Sequence, residues 1–222
     1  MEKRAVIFDL DGTLVDTIAD IRLAVEASLS DLGLGSLSDE LVKMHVGRGL
    51  ANTLRGVLSS FGIAVTDSEL MARTRRLEQY YHRHPVVESR PYEGVSALLE
   101  RLAATGMALG VLSNKEDGLV KSIVATLFPT VEFLLVRGMR EGYERKPHPS
   151  TVGEFSDLMG TASHRMIYVG DSEVDWQTAK AASVPVILVS WGFRPREALS
   201  ALDGAVLVDT VVELEEAING VQ

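Results

Sequence analysis

The sequence predicts an α/β fold in which helices surround a parallel β-sheet and a helical domain interrupts the chain after the first strand. From Arg90 onward, short apolar runs alternate with helical patterns, which is the order that crossover connections produce in a parallel sheet. Several of these runs are apolar throughout, as is typical of strands buried on both faces. Residues 17–84 show only helical patterns, and this break in the alternation indicates the insertion.

The first predicted strand is an apolar run that ends in acidic residues. Residues 4–8 lead directly to Asp9, Asp11 and Gly12. Alternate side chains of a strand share a face, so both carboxylates start from the same side. Gly12 then allows the chain to leave the strand sharply. Further strands are expected at 107–112, 131–136, 166–169, 186–189 and 205–208.

The interrupting segment follows the acidic turn directly, so we expect it to be an inserted domain. Its predicted boundaries are 17–85, and the sheet domain would comprise 1–16 and 86–222, with a return linker near 85–91. Glycine-containing turns separate the expected helices, which are 18–32, 39–44, 50–61 and 67–83.

Composition and charge restrict the possible functions. The chain has 222 residues and no Cys, which excludes disulfides and thiolate metal sites. A net charge of −9 without a basic stripe disfavours nucleic-acid binding. No apolar run is long enough to span a bilayer, and Asp9 and Asp11 interrupt any signal-peptide apolar region. We therefore expect a cytoplasmic protein with neither a nucleic-acid nor a membrane partner.

The two carboxylates at the end of strand one indicate a site rather than a turn. A hard cation such as Mg²⁺ would relieve their repulsion, and ligands of open α/β sheets bind at the carboxyl ends of strands. A β-hairpin is disfavoured because a helical pattern follows. Asp9, Asp11, Thr13 and Asp20 also match positions of a calcium-binding loop, but Leu14 stands where that loop needs Gly and no helix precedes it.

Two polar segments after later strands are candidate phosphate-binding groups. Ser113 and Asn114 follow the second long strand and supply hydrogen-bond donors, although both residue types are common helix caps. Lys146 follows the third strand, where its ammonium would neutralise phosphate and carboxylates together. Its neighbour Arg145 is expected in solvent.

A third segment, after the fourth strand, offers further carboxylates. Asp171 and Asp175 are one helical turn apart at a strand-to-helix junction, so both can point toward the edge of the sheet. Asp171 would ligate a metal ion, and Asp175 would either ligate it or support it from behind. An Asp helix cap is the alternative for either residue.

The order of these motifs resembles that of the haloacid dehalogenase-like hydrolases. Residues 9–17 resemble the nucleophile motif of that superfamily, and the Ser, Lys and Gly-Asp-x-x-x-Asp segments resemble its other motifs. One departure is Ser183, at a position where the family commonly has Gly. Three segments further resemble the phosphoglycolate phosphatase branch: Gly47-Arg48-Gly49, Pro91-Tyr92-Glu93-Gly94-Val95 and Ser190-Trp191-Gly192-Phe193.

The resemblance implies a Rossmann-like core with an inserted all-helical cap, and Mg²⁺ as the cofactor. Asp9 would be the nucleophile and a metal ligand. Asp11 would be the general acid and then the general base, with its backbone carbonyl on the metal. The remaining implied roles are metal binding by Asp171, with Asp175 as a further ligand or support, and phosphoryl binding by Ser113, Asn114 and Lys146.

The expected function is magnesium-dependent hydrolysis of a small phosphorylated metabolite, similar to phosphoglycolate, through an aspartyl-phosphate intermediate. Arg48 would recognise a carboxylate on the substrate, and a solvent-exposed arginine without such a role is the alternative. Two alternatives are a phosphoglucomutase-like transferase on the same scaffold and a partner-binding module without activity. The expected assembly is a monomer or a homodimer.

Overall fold

The computed structural model describes residues 4–160 and 165–221, which contain a six-stranded parallel sheet and a separate two-stranded sheet. In space the strands of the large sheet follow the order β5-β4-β1-β6-β7-β8, with parallel pairing throughout. In chain order the strands are β1 (Ala5–Phe8), β2 (Val15–Asp16), β3 (Arg90–Pro91), β4 (Ala108–Glu116), β5 (Leu135–Met139), β6 (Met166–Gly170), β7 (Val186–Val189) and β8 (Val206–Val208).

Helices surround the large sheet and also form the segment between β2 and β3, so the predicted fold class is confirmed. The inserted segment contains α1 (Ile18–Leu29), a 3₁₀ turn (Ser30–Leu32), α2 (Asp39–Lys43), α3 (Leu50–Ser60) and α4 (Asp67–Arg83). The remaining helices are α5 (Val95–Ala104), α6 (Asp117–Leu127), α7 (Ser150–Met159), α8 (Glu173–Ala181), α9 (Arg196–Ser200) and α10 (Val211–Gly220). Among the described residues, no helix combines the length and apolar character needed to cross a membrane.

Strand β1 is buried on both faces at the centre of the sheet. Val6 and Phe8 belong to one hydrophobic cluster, which extends into the inserted helices. Ala5 and Ile7 belong to a second cluster on the opposite face. Both faces of β1 are therefore covered, which accounts for its continuous apolar sequence. Its carboxyl end lies between those of β4 and β6, and this arrangement brings the sequence motifs together.

A two-residue strand follows the acidic turn, where the sequence analysis expected only a helix. Val15 and Asp16 pair antiparallel with Pro91 and Arg90, so the outgoing and returning chains form a short ribbon. Two residues are too few to show a strand period. Because β2 pairs with β3 and not with β1, the hairpin alternative is wrong.

The ends of two other strands also differ from the expectation. Strand β4 continues through Glu116 rather than ending at residue 112, and β5 runs from Leu135 to Met139 rather than from 131 to 136. Both strands were predicted to end too early because polar residues interrupt the apolar runs. Within β5, Gly138 packs so tightly that a Cβ there would lie 2.5 Å from the backbone oxygen of Lys115.

The ribbon is reinforced by a buried carboxylate from α1. Asp20 accepts hydrogen bonds from the backbone N–H groups of Val87 (3.0 Å), Glu88 (3.0 Å) and Ser89 (2.9 Å), and from the Ser89 hydroxyl (2.6 Å). The return linker is thereby fixed to the first helix of the insertion.

Candidate active site

The site begins with a lysine held between two carboxylates at the end of the sheet. The ammonium of Lys146 lies 2.8 Å from Asp9 Oδ1 and 2.7 Å from Asp175 Oδ1. All three residues are buried. Burial lowers the pKa of Lys146, but the charges of Asp175 and Asp9 raise it well above its ordinary value, so the lysine is a cation.

Asp9, Asp171 and Asp175 form a carboxylate cluster in which one oxygen from each lies within 4.8 Å of the others. Burial raises the pKa of Asp9 well above its ordinary value, and the charge of Asp175 raises it further, against the opposing effect of Lys146. Burial and Asp175 likewise raise the pKa of Asp171 to about 7. Buried carboxylates that repel one another suit a divalent cation, which would reverse both shifts.

Two close glycines make room for Asp171. Gly12 has φ of 88°, in the left-handed region, and a Cβ on Gly12 or on Gly192 would collide with the Asp171 side chain. Asp171 Oδ2 accepts a 2.6 Å hydrogen bond from the backbone N–H of Phe193. The acidic turn and the segment after β7 therefore enclose this carboxylate together.

Asp175 is bonded mainly to other protein groups. Besides Lys146, it accepts hydrogen bonds from the hydroxyls of Ser172 (2.6 Å) and Tyr168 (3.3 Å), and it is fully buried. These contacts favour a role in holding Lys146 over direct metal ligation.

Asp11 has a different set of contacts. Its Oδ1 accepts a 2.6 Å hydrogen bond from the Thr17 hydroxyl and forms an ion pair with the ammonium of Lys115. Its Oδ2 accepts a longer hydrogen bond, of 3.3 Å, from the Ser113 hydroxyl. Asp11 and Ser113 thus meet in the site, while Lys115 and Thr17 hold Asp11 from behind.

The side-chain amide of Asn114 is engaged by backbone groups. Its oxygen accepts the N–H of Lys146 at 2.9 Å, and its nitrogen donates to the carbonyls of Lys146 (3.1 Å) and Gly47 (3.0 Å). Asn114 therefore orders the backbone at Lys146 and also contacts the inserted helical segment.

The loop between α2 and α3 covers the site. Arg194 donates to the backbone carbonyls of Lys43 (3.1 Å) and Val46 (2.6 Å), and it pairs with Glu173 at 2.9 Å. The pocket beneath the loop, which both Asp9 and Gly49 line, has a volume of about 30 Å³. The loop therefore forms part of the wall of the pocket that contains the Asp9 and Asp11 carboxylates.

Arg48 lies outside this pocket. Its side chain is 64% exposed, 3.8 Å from Glu173, and lines a neighbouring cleft of about 330 Å³ together with Arg140 and Arg145. Arg145 is exposed, as expected. The structure therefore brings the other predicted site residues together and leaves Arg48 at the rim.

Sequence reasoning missed four residues around the site, namely Thr17, Tyr81, Lys115 and Arg194. Lys115 is two residues after Ser113 within β4, so alternation along a strand would have placed it on the same face. It was missed because a helix was expected to begin there. Tyr81 gives no comparable signal, since it belongs to the apolar face of α4.

Comparisons with known proteins agree on the relationship. The profile of the haloacid dehalogenase-like hydrolases matches residues 6–189. A phosphoglycolate phosphatase from Rhodospirillum rubrum is 33% identical over 215 residues, 95% of this chain and 89% of that protein. One from Aquifex aeolicus is 33% identical over 190 residues, 86% of each chain.

A solved structure from Lactobacillus delbrueckii subsp. bulgaricus, provisionally named a phosphoglycolate phosphatase, has a TM-score of 0.88 and 32% identity. The similarity covers 98% of this chain and 99% of that one. The similarity to these proteins therefore extends over nearly the whole chain and includes all of the motifs identified in the sequence. The chain belongs to the haloacid dehalogenase-like hydrolase family.

Proposed function

We propose that this chain is a magnesium-dependent phosphatase that hydrolyses a small phosphorylated metabolite through a phosphorylated Asp9. The observation that carries the proposal is the buried Asp9 carboxylate at the end of β1, in contact with Lys146 and clustered with Asp171. A candidate nucleophile, a cation that could neutralise phosphoryl charge and a candidate metal site occur together there. The names of the relatives support phosphoglycolate as the substrate type.

The reaction follows from the positions of two carboxylates. An oxygen of Asp9 attacks phosphorus, the bond from phosphorus to the leaving oxygen breaks, and Asp11 donates a proton to that oxygen. Asp11 then removes a proton from water, whose oxygen attacks the phosphorus of the aspartyl phosphate. Inorganic phosphate leaves, and the Asp9 carboxylate is restored.

The remaining site residues stabilise charge or hold the reacting groups. Ser113, Asn114 and Lys146 would bind the phosphoryl oxygens, and Lys146 would neutralise charge on them in the transition state. Asn114 would do so through its backbone, because its side chain is already bonded.

The metal site would use Asp9, Asp171 and the backbone carbonyl of Asp11, with Asp175 as a supporting residue. Their oxygen ligands suit Mg²⁺. When bound, Mg²⁺ supplies positive charge that draws the anionic phosphoryl group toward Asp9 and reduces repulsion between them.

We also propose that residues 17–85 act as a cap over a core of 1–16 and 86–222. Closure of the cap would exclude water from the reacting groups, and Arg48 at its edge would select carboxylated substrates. Cytoplasmic location and a monomeric or homodimeric state remain predictions from the sequence.

A substrate panel tests this function. Phosphorylated metabolites should be ranked by kcat/KM with Mg²⁺, and phosphoglycolate should be among the best. Exhaustive chelation should abolish turnover, and added Mg²⁺ should restore it. Isomerisation of a sugar phosphate that depends on glucose 1,6-bisphosphate would instead favour a mutase, and metal-independent turnover would contradict the proposed metal site.

A further inference from the structure

Lys115 is a buried lysine to which the proposed reaction gives no role. It is 3% exposed, and its ammonium makes an ion pair with Asp11 Oδ1 and a 2.9 Å hydrogen bond to the Tyr81 hydroxyl. The ammonium also lies 4.7 Å from the centre of the Tyr81 ring, within the range of a cation–π contact.

We propose that Lys115 is a positioning residue that orients the carboxylate of Asp11 for proton transfer to the leaving group. This inference rests on the proposed function, because it assumes that Asp11 is the general acid. Lys115 would act through Asp11 and would not contact the substrate.

The two carboxylate oxygens of Asp11 have different partners, and this difference supports a role of Lys115 in orienting the carboxylate. Lys115 and Thr17 both bond to Oδ1, which fixes that oxygen on the inner side of the site. Oδ2 has a longer contact, with Ser113, a residue that lines the pocket. The clamp on Oδ1 therefore leaves Oδ2 as the oxygen available for proton transfer.

The two carboxylates of the acidic turn each have their own buried lysine. Lys146 contacts Asp9 and Asp175, whereas Lys115 contacts Asp11. If the two lysines only neutralised the total negative charge of the site, neither would need to contact one particular carboxylate. The division keeps the nucleophile and the acid in independent orientations, as a sequence of attack and proton transfer requires.

The clamp is assembled from both ends of the inserted segment. Thr17 directly follows β2, and Tyr81 lies in the last turn of α4. Tyr81 is fully buried, and its hydroxyl is a second partner of the Lys115 ammonium beside Asp11. A purely structural role, in which Lys115 ties α4 to the core, is the competing explanation, and it predicts an equal loss of activity on every substrate.

The test compares leaving groups that differ in their need for a proton. An alkyl phosphate, such as phosphoglycolate or the best alkyl ester of the panel, needs a general acid, whereas p-nitrophenyl phosphate releases a stable phenolate. The variants are Lys115→Met, Lys115→Gln and Tyr81→Phe, with Asp11→Asn as the reference for loss of the acid. Lys121→Met is the matched control, because Lys121 is a half-exposed lysine that pairs with Asp117 on α6.

For Lys115→Met we expect kcat/KM to fall at least ~30-fold on the alkyl phosphate and less than about threefold on the aryl phosphate, since general acid catalysis contributes roughly 10²- to 10⁴-fold. Lys115→Gln, which keeps a donor, should fall less. Tyr81→Phe should show the same bias, smaller in size, and it provides the test if both Lys115 variants fail to fold.

Two outcomes would overturn the inference. If Asp11→Asn shows the leaving-group bias but the Lys115 and Tyr81 variants lose activity equally on both esters, Lys115 is structural and the proposed function stands. If Asp11→Asn itself shows no bias, Asp11 is not the acid, and the proposed mechanism fails together with the positioning role.

Discussion

Replacement of Asp20 tests how the inserted segment is fastened to the core. The buried carboxylate accepts four hydrogen bonds from residues 87–89. Asp20→Ala removes both acceptor oxygens and so all four hydrogen bonds. Asp20→Asn keeps one oxygen and places an amide N–H₂ against at least one backbone N–H donor.

The expected loss of unfolding free energy depends on which of the donors could form a hydrogen bond with water instead. Ser89 is fully buried, whereas Val87 and Glu88 are exposed. An unsatisfied buried donor costs about 1–3 kcal/mol, and an exposed one costs less. Loss of both Ser89 bonds and two exposed bonds therefore amounts to roughly 3–5 kcal/mol for Asp20→Ala, and about 1.5–3 kcal/mol for Asp20→Asn.

Chemical denaturation and thermal melting measure these losses. For a chain of this size, 1 kcal/mol shifts Tm by roughly 2–4 °C, so Asp20→Ala should lower Tm by about 6–20 °C. The control is Asp16→Ala in the same ribbon, where an exposed carboxylate accepts one bond, from Ile18 N–H at 3.3 Å. It should change the unfolding free energy by less than about 0.5–1 kcal/mol.

The pH dependence gives an independent check. Burial raises the pKa of Asp20, but hydrogen bonds from Ser89, Glu88 and Val87 outweigh burial and hold the pKa below its ordinary value. The stabilisation is therefore complete above the unfolded pKa of about 3.9 and is lost as pH falls through the folded value. Equal unfolding free energies for Asp20→Asn and the wild type at pH 7 would refute the reasoning.

Four further outcomes are expected. Asp9→Asn should fold normally and lose turnover by roughly a thousandfold or more; near-normal turnover would exclude Asp9 as nucleophile. Lys146→Ala should lower kcat/KM by ~2–4 kcal/mol of transition-state stabilisation, far more than the exposed control Arg145→Ala. Arg48→Ala should weaken hydrolysis of carboxylated substrates more than of an aryl phosphate, and equal effects would remove its role in selection. Ser183→Gly should raise the unfolding free energy by about 1 kcal/mol, measured by denaturation, because Ser183 has φ of 55°, which costs a non-glycine residue roughly 1–2 kcal/mol.

The parts of the fold that could be predicted are those with a clear local pattern of apolar and polar residues. Helix α4 was predicted with its observed bounds, and the buried strands β1, β6 and β7 were found from their apolar runs. The ribbon of β2 and β3 was not, because two-residue strands have no period. Strand β4 was cut short because Ser113 to Glu116 are polar, although they continue the strand to the site.

The site divides in a similar way. Residues whose chemistry is visible at a strand end, such as Asp9 and Lys146, could be proposed from the sequence. Contacts that depend on three-dimensional packing could not. Tyr81 approaches Lys115 from 34 residues away, and Arg194 contacts the carbonyl of Lys43 from 151 residues away. The sequence shows neither pairing without the fold.

The two functions that we propose for the loop over the pocket, closure and substrate selection, would involve different atoms. Arg194 and Asn114 bind the backbone carbonyls of Lys43, Val46 and Gly47, so closure does not depend on which side chains the loop carries. Movement of the loop away from the core would break these three hydrogen bonds. The side chain at position 48 takes no part in them and lies in the outer cleft. Substitutions there can therefore alter substrate selection while the hydrogen bonds that close the loop are retained.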